Sequence, residues 1–139
     1  IRKSFDMEKT LTKSTEIMLV DDHRMIRNTL SQWLLNKCPN SEIITAISGK
    51  DALAILESHT VDLIIMDINM PGMNGIEATK AVKAIWPTIP IIVLTVKEDN
   101  YYRQIAVDAG ADAYVIKRQI YAKLVPMIRA LLQSKFLCH

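Results

Sequence analysis

The run Leu63-Ile64-Ile65-Met66-Asp67 constrains this chain more than any other stretch. Four successive apolar residues end on a carboxylate, in a segment too short for a helix of ordinary length. The run does not alternate, so it reads as a strand buried on both faces, which is a strand of a parallel sheet. Val61 extends it, with Asp62 the sole interruption. Pro71 and Gly72 then mark a turn, and Gly75 opens a helical pattern. Open α/β sheets bind ligands beyond the carboxyl ends of their strands, which makes Asp67 a candidate site residue. Taken alone, it reads more simply as a solvated loop aspartate.

It is not alone. The pattern predicts further strands over 17–20, 42–46, 90–95 and 113–116, each followed by a helical periodicity. The first helix has Asp22 or His23 near its start and Ile26, Leu30, Trp33 and Leu34 on one face, and Cys38-Pro39-Asn40 breaks it. Ser48 is the expected cap of the second, whose stripe is Ala52, Leu53 and Leu56. The third carries Ala78, Ala81, Val82 and Ile85 and stops at Trp86-Pro87. The fourth, capped by Asn100, carries Tyr102, Ile105, Ala106 and Ala109 and closes at Gly110. The last carries Leu124, Ile128, Leu131 and Leu132, and Pro126 must lie in its first turn or kink it. Five strand–helix repeats with right-handed crossovers give a flavodoxin-like (βα)5 doubly wound parallel sheet, strand order 2-1-3-4-5. In that order Asp21 and Asp22, Asp67, Thr95 and Lys117 each follow an apolar run and gather on one rim.

At 139 residues the chain fits one domain, and 50% hydrophobic content can fill its core. With 17 basic against 15 acidic residues, net +2, charge gives no argument for nucleic-acid binding. No run approaches a membrane span and no secretory h-region opens the chain, which points to a soluble cytoplasmic domain. Cys38 and Cys138 lie far apart without metal-ligand spacing and read as reduced cytosolic thiols. Residues 1–15 lack periodicity and read as a flexible lead, with Met7 a candidate start; the folded domain is expected over 16–137.

Three clustered carboxylates repel, and a divalent cation removes the conflict. Oxygen ligands with open positions suit Mg²⁺, which keeps waters and takes phosphate oxygens. Lys117 adds a point charge that can pair with Asp67 or a phosphoryl oxygen, and Thr95 offers a hydroxyl. A carboxylate can attack phosphorus, and phosphoryl transfer asks mainly for positioning and charge neutralisation.

These motifs resemble those of receiver domains of two-component response regulators. MLVDDH is similar to the acidic-pair motif, LIIMDINMPGMNGIE to the phosphoacceptor motif, IIVLTV to the Thr/Ser strand and AGADAYVIK to the Lys strand. The likeness covers about residues 16 to 134, and VDDHRMIRNTL and NYYRQIAVDAGADAYVIK most resemble receivers of the LuxR/NarL group. It implies that Asp67 is phosphorylated and that Asp22 and Asp67 hold Mg²⁺ directly. Asp21 would act through water and the Asn69 carbonyl as a further ligand. Thr95 and Tyr114 would form a switch pair, with Lys117 on the phosphoryl group. The implied partner is a sensor histidine kinase or phosphotransfer protein, with a possible homodimer on phosphorylation. Transcriptional output would reach DNA through a helix-turn-helix domain for which this chain has no room, so it reads as a fragment or a stand-alone receiver acting as a phosphorelay carrier.

The sequence departs from the family pattern in places. Arg118 stands where many receivers have a proline, so a cis bond there is not expected. Asn69 and Lys97 occupy positions that tune phosphoryl lifetime in the family. A Mg²⁺-dependent aspartyl-phosphate phosphohydrolase is the alternative, but such an enzyme uses a second aspartate where Asn69 stands. Tyr114 by itself reads as a strand aromatic. His23 and His59 read as a helix-entry and a loop residue, without ligand neighbours at metal spacing. Met66, Met70, Met73, Trp33 and Trp86 read as packing residues.

Overall fold

The computed structural model describes residues 14–70, 72–133 and 138. Most of the expected lead, residues 1–13, lies outside them, as does Pro71 of the expected turn. The strands are β1 (Thr15–Val20), β2 (Ser41–Ala46), β3 (Leu63–Asp67), β4 (Ile91–Thr95) and β5 (Ala113–Ile116). The helices are α1 (Arg24–Lys37), α2 (Gly49–Ser58), α3 (Gly75–Ile85), α4 (Asn100–Asp108) and α5 (Ile120–Leu132). All strand pairs are parallel and the order is β2-β1-β3-β4-β5, the doubly wound arrangement expected from the alternation.

The central strands are buried on both faces, and successive side chains supply opposite cores. Ile17, Leu19, Leu63, Ile65, Ile92 and Leu94 pack with Leu30 and Leu34 of α1 and Leu124 and Ile128 of α5. Met18, Val20, Ile64, Met66, Ile91 and Val93 pack on the other side with Ala52 and Leu56 of α2, Ala78 and Val82 of α3 and Ala106 of α4. Each fully buried aliphatic side chain contributes about 1.5–3 kcal/mol. An unbroken apolar strand is therefore what a sheet covered by helices on both sides requires.

Local chemistry sets the helix ends. The Ser48 hydroxyl accepts from the Asp51 N–H at 3.1 Å while the Asp51 carboxylate accepts from the Ile47 N–H at 2.9 Å, which closes the first turn of α2 from both sides. The α4 cap is Asp99 rather than Asn100; its carboxylate accepts from the Tyr102 N–H at 3.1 Å. Asp99 has the extended backbone that a cap requires, with φ −76° and ψ 158°, whereas Asn100 is already the first helical residue. Pro126 lies inside α5, beyond the first turn, on the exposed side, where water can serve the carbonyl four residues earlier. Ile26 is exposed, so α1 buries only Leu30 and Leu34 from its expected stripe, with Trp33 partly buried against them.

The cysteine reading is overturned. Cys38 and Cys138 are joined in a disulfide, both buried, across a sequence separation of 100. Spacing gave no sign of it, because the fold rather than the local chain brings the two together.

Candidate functional site

Strand register builds the site. Val20 pairs with Met66, so the next residues, Asp21 and Asp67, emerge side by side at the end of the sheet. Asp67 pairs with Leu94 and Thr95 with Ile116, so Thr95 and then Lys117 step outward along the same rim. The switch point of the winding lies between β1 and β3, and both strands end there in a carboxylate.

Asp67 is fully buried. Its Oδ1 lies 2.7 Å from Lys117 Nζ and accepts from the Asn69 N–H at 3.3 Å, while Oδ2 has no hydrogen-bond partner. Burial pushes the Asp67 carboxyl above the ordinary carboxylate value, the hydrogen bond and charge of Lys117 pull it back, and the Asp21 charge adds to the rise. Asp21 is also buried; its Oδ1 accepts from the His23 N–H at 2.8 Å and its Oδ2 is unpartnered. The Asp21 carbonyl accepts from Arg27 at 2.8 Å, which ties the strand end to α1.

The rim is anchored from below by Gly75. Its N–H donates to the Ile68 carbonyl at 2.9 Å, and a Cβ there would stand 2.1 Å from the Asp67 carbonyl oxygen. Only glycine lets α3 approach the β3 end this closely. Asn74 completes the entry by accepting from the Ile76 and Glu77 N–H groups, both at 2.9 Å.

The donor set fits a hard divalent cation. Ligand atoms of Asp21, Asp22, His23 and Asp67 lie within 4.8 Å of one another. Two buried carboxylate oxygens, Asp21 Oδ2 and Asp67 Oδ2, have no hydrogen-bond partner, and Asp22 Oδ1 has none beyond its ion-pair contact with His23. An unpartnered buried carboxylate oxygen is costly in a protein, and several converging on one space suit a cation with oxygen ligands. His23 was expected to be a plain helix-entry residue. It does precede α1, but its Nδ1 also lies 3.1 Å from Asp22 Oδ1 and 3.3 Å from Asp21 Oδ1. The signal for this was its place directly after the acidic pair. His59 instead pairs with Glu16 at 3.0 Å, away from the site.

Thr95 is buried, and its Oγ1 accepts from the Lys97 N–H at 3.0 Å. Tyr114 is half-buried and its hydroxyl donates to the Lys97 carbonyl, with the Arg103 guanidinium 5.6 Å from the ring centre. Lys97 thus links the two residues, a role its spacing did not announce. Arg118 pairs with Glu98, which ties the loop after β4 to the residue following Lys117. Asn69 is exposed beside Asp67.

A doubly wound sheet with an acidic, lysine-bearing rim at its switch point defines a receiver-type signalling switch. The family model for the response regulator receiver domain matches residues 17–129, which takes in every rim residue named above, and this chain belongs to that family. It is homologous to the transcriptional regulatory protein DegU of Brevibacillus brevis, 28% identical over 95% of this chain and 56% of that protein. It is 34% identical to the response regulator VraR of Staphylococcus saprophyticus over 82% of this chain and 54% of that protein. The chain therefore spans about half the length of these curated relatives. Among solved structures it resembles a LuxR-family response regulator from Aurantimonas, with a TM-score of 0.80 at 30% identity over 86% of each chain. It also resembles the chemotaxis protein CheY4 of Vibrio cholerae, with a TM-score of 0.78 at 30% identity over 86% of this chain and 99% of that one. Receiver domains are signalling switches of two-component systems and interact with histidine kinases. No helix among the described residues is long and apolar enough to cross a membrane.

Proposed function

We propose that Asp67 is the phosphoacceptor of this receiver, taking a phosphoryl group from a phosphohistidine of a sensor kinase or phosphotransfer protein. The observation that carries this reading is the buried Asp67 carboxylate with one oxygen held by Lys117 and the other unpartnered. The free oxygen attacks phosphorus, the P–N bond breaks, and the departing imidazole keeps the bond's electron pair. Asp21, Asp22 and Asp67, with the Asn69 carbonyl, would hold Mg²⁺, which offsets the charge of the carboxylates and of the incoming phosphoryl oxygens. Lys117 holds Asp67 in place before transfer and offers its ammonium to the phosphoryl oxygens afterwards. Thr95 Oγ1 accepts from the Lys97 N–H, which leaves the hydroxyl proton to donate to a phosphoryl oxygen.

Phosphorylation then shifts an existing equilibrium that runs from Thr95 through Lys97 to Tyr114. The relay ends in self-association or in an altered contact with a transcriptional output region, DNA being reached only through such a region, in the cytoplasm. Likeness to DegU and VraR over one part of each supports this output. Incubation with acetyl phosphate and Mg²⁺ should add one hydroxylamine-labile phosphoryl group by intact mass. Asp67→Asn should abolish it. Full labelling of that variant overturns the assignment, and sustained turnover of a phosphomonoester would make the chain a hydrolase instead.

A further inference from the structure

The disulfide lies beside Ser41, the first residue of β2, at the end of the sheet opposite the acidic rim. Cys38 caps α1: its N–H donates to the Leu34 carbonyl at 2.7 Å, and its carbonyl accepts from the Ser41 hydroxyl at 2.6 Å. Cys138 comes from beyond α5. That helix ends at Leu132, and Gln133 takes the left-handed conformation with φ 52°, which ends the helix. The Cys138 carbonyl accepts from Arg129 at 2.8 Å, while the buried Arg129 Nε has no partner. Both cysteines pack into the core cluster formed with Leu34, Ile128 and Leu131. These contacts seat Cys138 beside the end of α1, where its sulfur is bonded to Cys38.

Disulfides are rare in reducing compartments, and those found there are mostly redox-active. We propose that Cys38 and Cys138 form a reversible oxidation site whose reagents are cellular dithiols and disulfides. Closed, it fastens residue 138 to the end of α1. Open, it releases that residue while the sheet and acidic rim stay folded. The site stands apart from the phosphoacceptor reading and does not depend on it.

The exchange balances as follows. A reductant thiolate attacks the Cys138 sulfur, the Cys38–Cys138 bond breaks, and Cys38 leaves as a thiolate that takes a proton from water. The reductant's second thiolate then attacks its own partner sulfur, forming the reductant's internal disulfide and freeing Cys138. Two electrons pass from the dithiol to the protein. Cys138 is the sulfur reached first because it keeps 5% exposure, whereas Cys38 has none and is fixed within a helix cap on both its N–H and its carbonyl. Closing the bond removes a large loop from the unfolded ensemble, and any chain that follows residue 138 then departs from α1 rather than freely from α5.

The test uses the whole chain. Alkylation followed by intact mass should find both thiols blocked after oxidation with glutathione disulfide and both modified after reduction with dithiothreitol. The reduced chain should keep its circular dichroism and its spectral response to beryllofluoride with Mg²⁺. Its thermal midpoint should fall by roughly 10 °C. Amide exchange should rise on the order of tenfold at residues 36–41 and 129–133 and stay unchanged at 63–67. The Cys38→Ser/Cys138→Ser double variant should show these reduced-state properties under either redox condition. Free thiols after oxidation, a bond that survives dithiothreitol in the native chain, or loss of the whole fold on reduction would each overturn the proposal. So would a double variant that still responds to oxidant. Failure of Asp67 to accept phosphate would leave all these readouts intact, so the two readings fail separately.

Discussion

Thr95 and Tyr114 are joined through the backbone of one residue: the Lys97 N–H donates to the Thr95 hydroxyl at 3.0 Å, and the Lys97 carbonyl accepts from the Tyr114 hydroxyl. Turning the Thr95 side chain toward a phosphoryl group would disturb its bond to Lys97, and with it the residue that holds Tyr114. We therefore expect Thr95→Ala to leave beryllofluoride bound at Asp67 but to mute NMR shift changes over residues 97–118. Tyr114→Phe should cost about 1 kcal/mol or less in stability, since its bond is solvent-accessible, and should uncouple the same segment. Full distant changes in both variants would rule out this route.

Asp67→Asn should stabilise the metal-free chain near neutral pH. The folded-state pKa of Asp67 is raised above 3.8 by burial. The charged form is thus disfavoured on folding, a cost fully present above the raised value and absent below the unfolded one. Asparagine removes it, at about 1.4 kcal/mol per pKa unit. Urea melts should show the gain at neutral pH and its decline as pH falls toward 4. A variant less stable than the parent at every pH would show that the Lys117 contact outweighs desolvation.

Mg²⁺ should bind more weakly as pH falls, because protons compete for Asp67 at a higher pH than for an ordinary carboxylate. Asp22→Ala should lose more affinity than Asp21→Ala, since Asp22 is the direct ligand by family likeness. Calorimetric titration at two pH values measures both effects. Undiminished affinity in both variants would place the cation elsewhere.

Gly75→Ala should destabilise the chain by about 3 kcal/mol or more, because the added methyl meets the Asp67 carbonyl oxygen and the Ile68 backbone, neither of which can give way. Chemical denaturation tests this. A near-neutral effect would mean that the α3 entry moves without cost.

Much of this protein is written locally. An apolar run without alternation fixes a strand buried on both faces, and helical periodicity between such runs fixes the crossovers, so fold class and strand order follow from Leu63–Asp67 and its counterparts. The rim was legible for the same reason: Asp21, Asp67, Thr95 and Lys117 each sit where a strand must end. Other features depend on distances that no spacing encodes. The Asp99 cap in place of Asn100 follows from a one-residue difference in where α4 begins. The ring of His23 reaches the acidic pair only through the geometry of the α1 entry. Lys97 joins Thr95 to Tyr114 because register sets β4 beside β5, and Cys38 meets Cys138 across 100 residues because α1 and α5 pack on the same face of the sheet. Local sequence determines which backbone each segment adopts, through periodicity and sterics; contacts between segments arise only when burial brings their surfaces together.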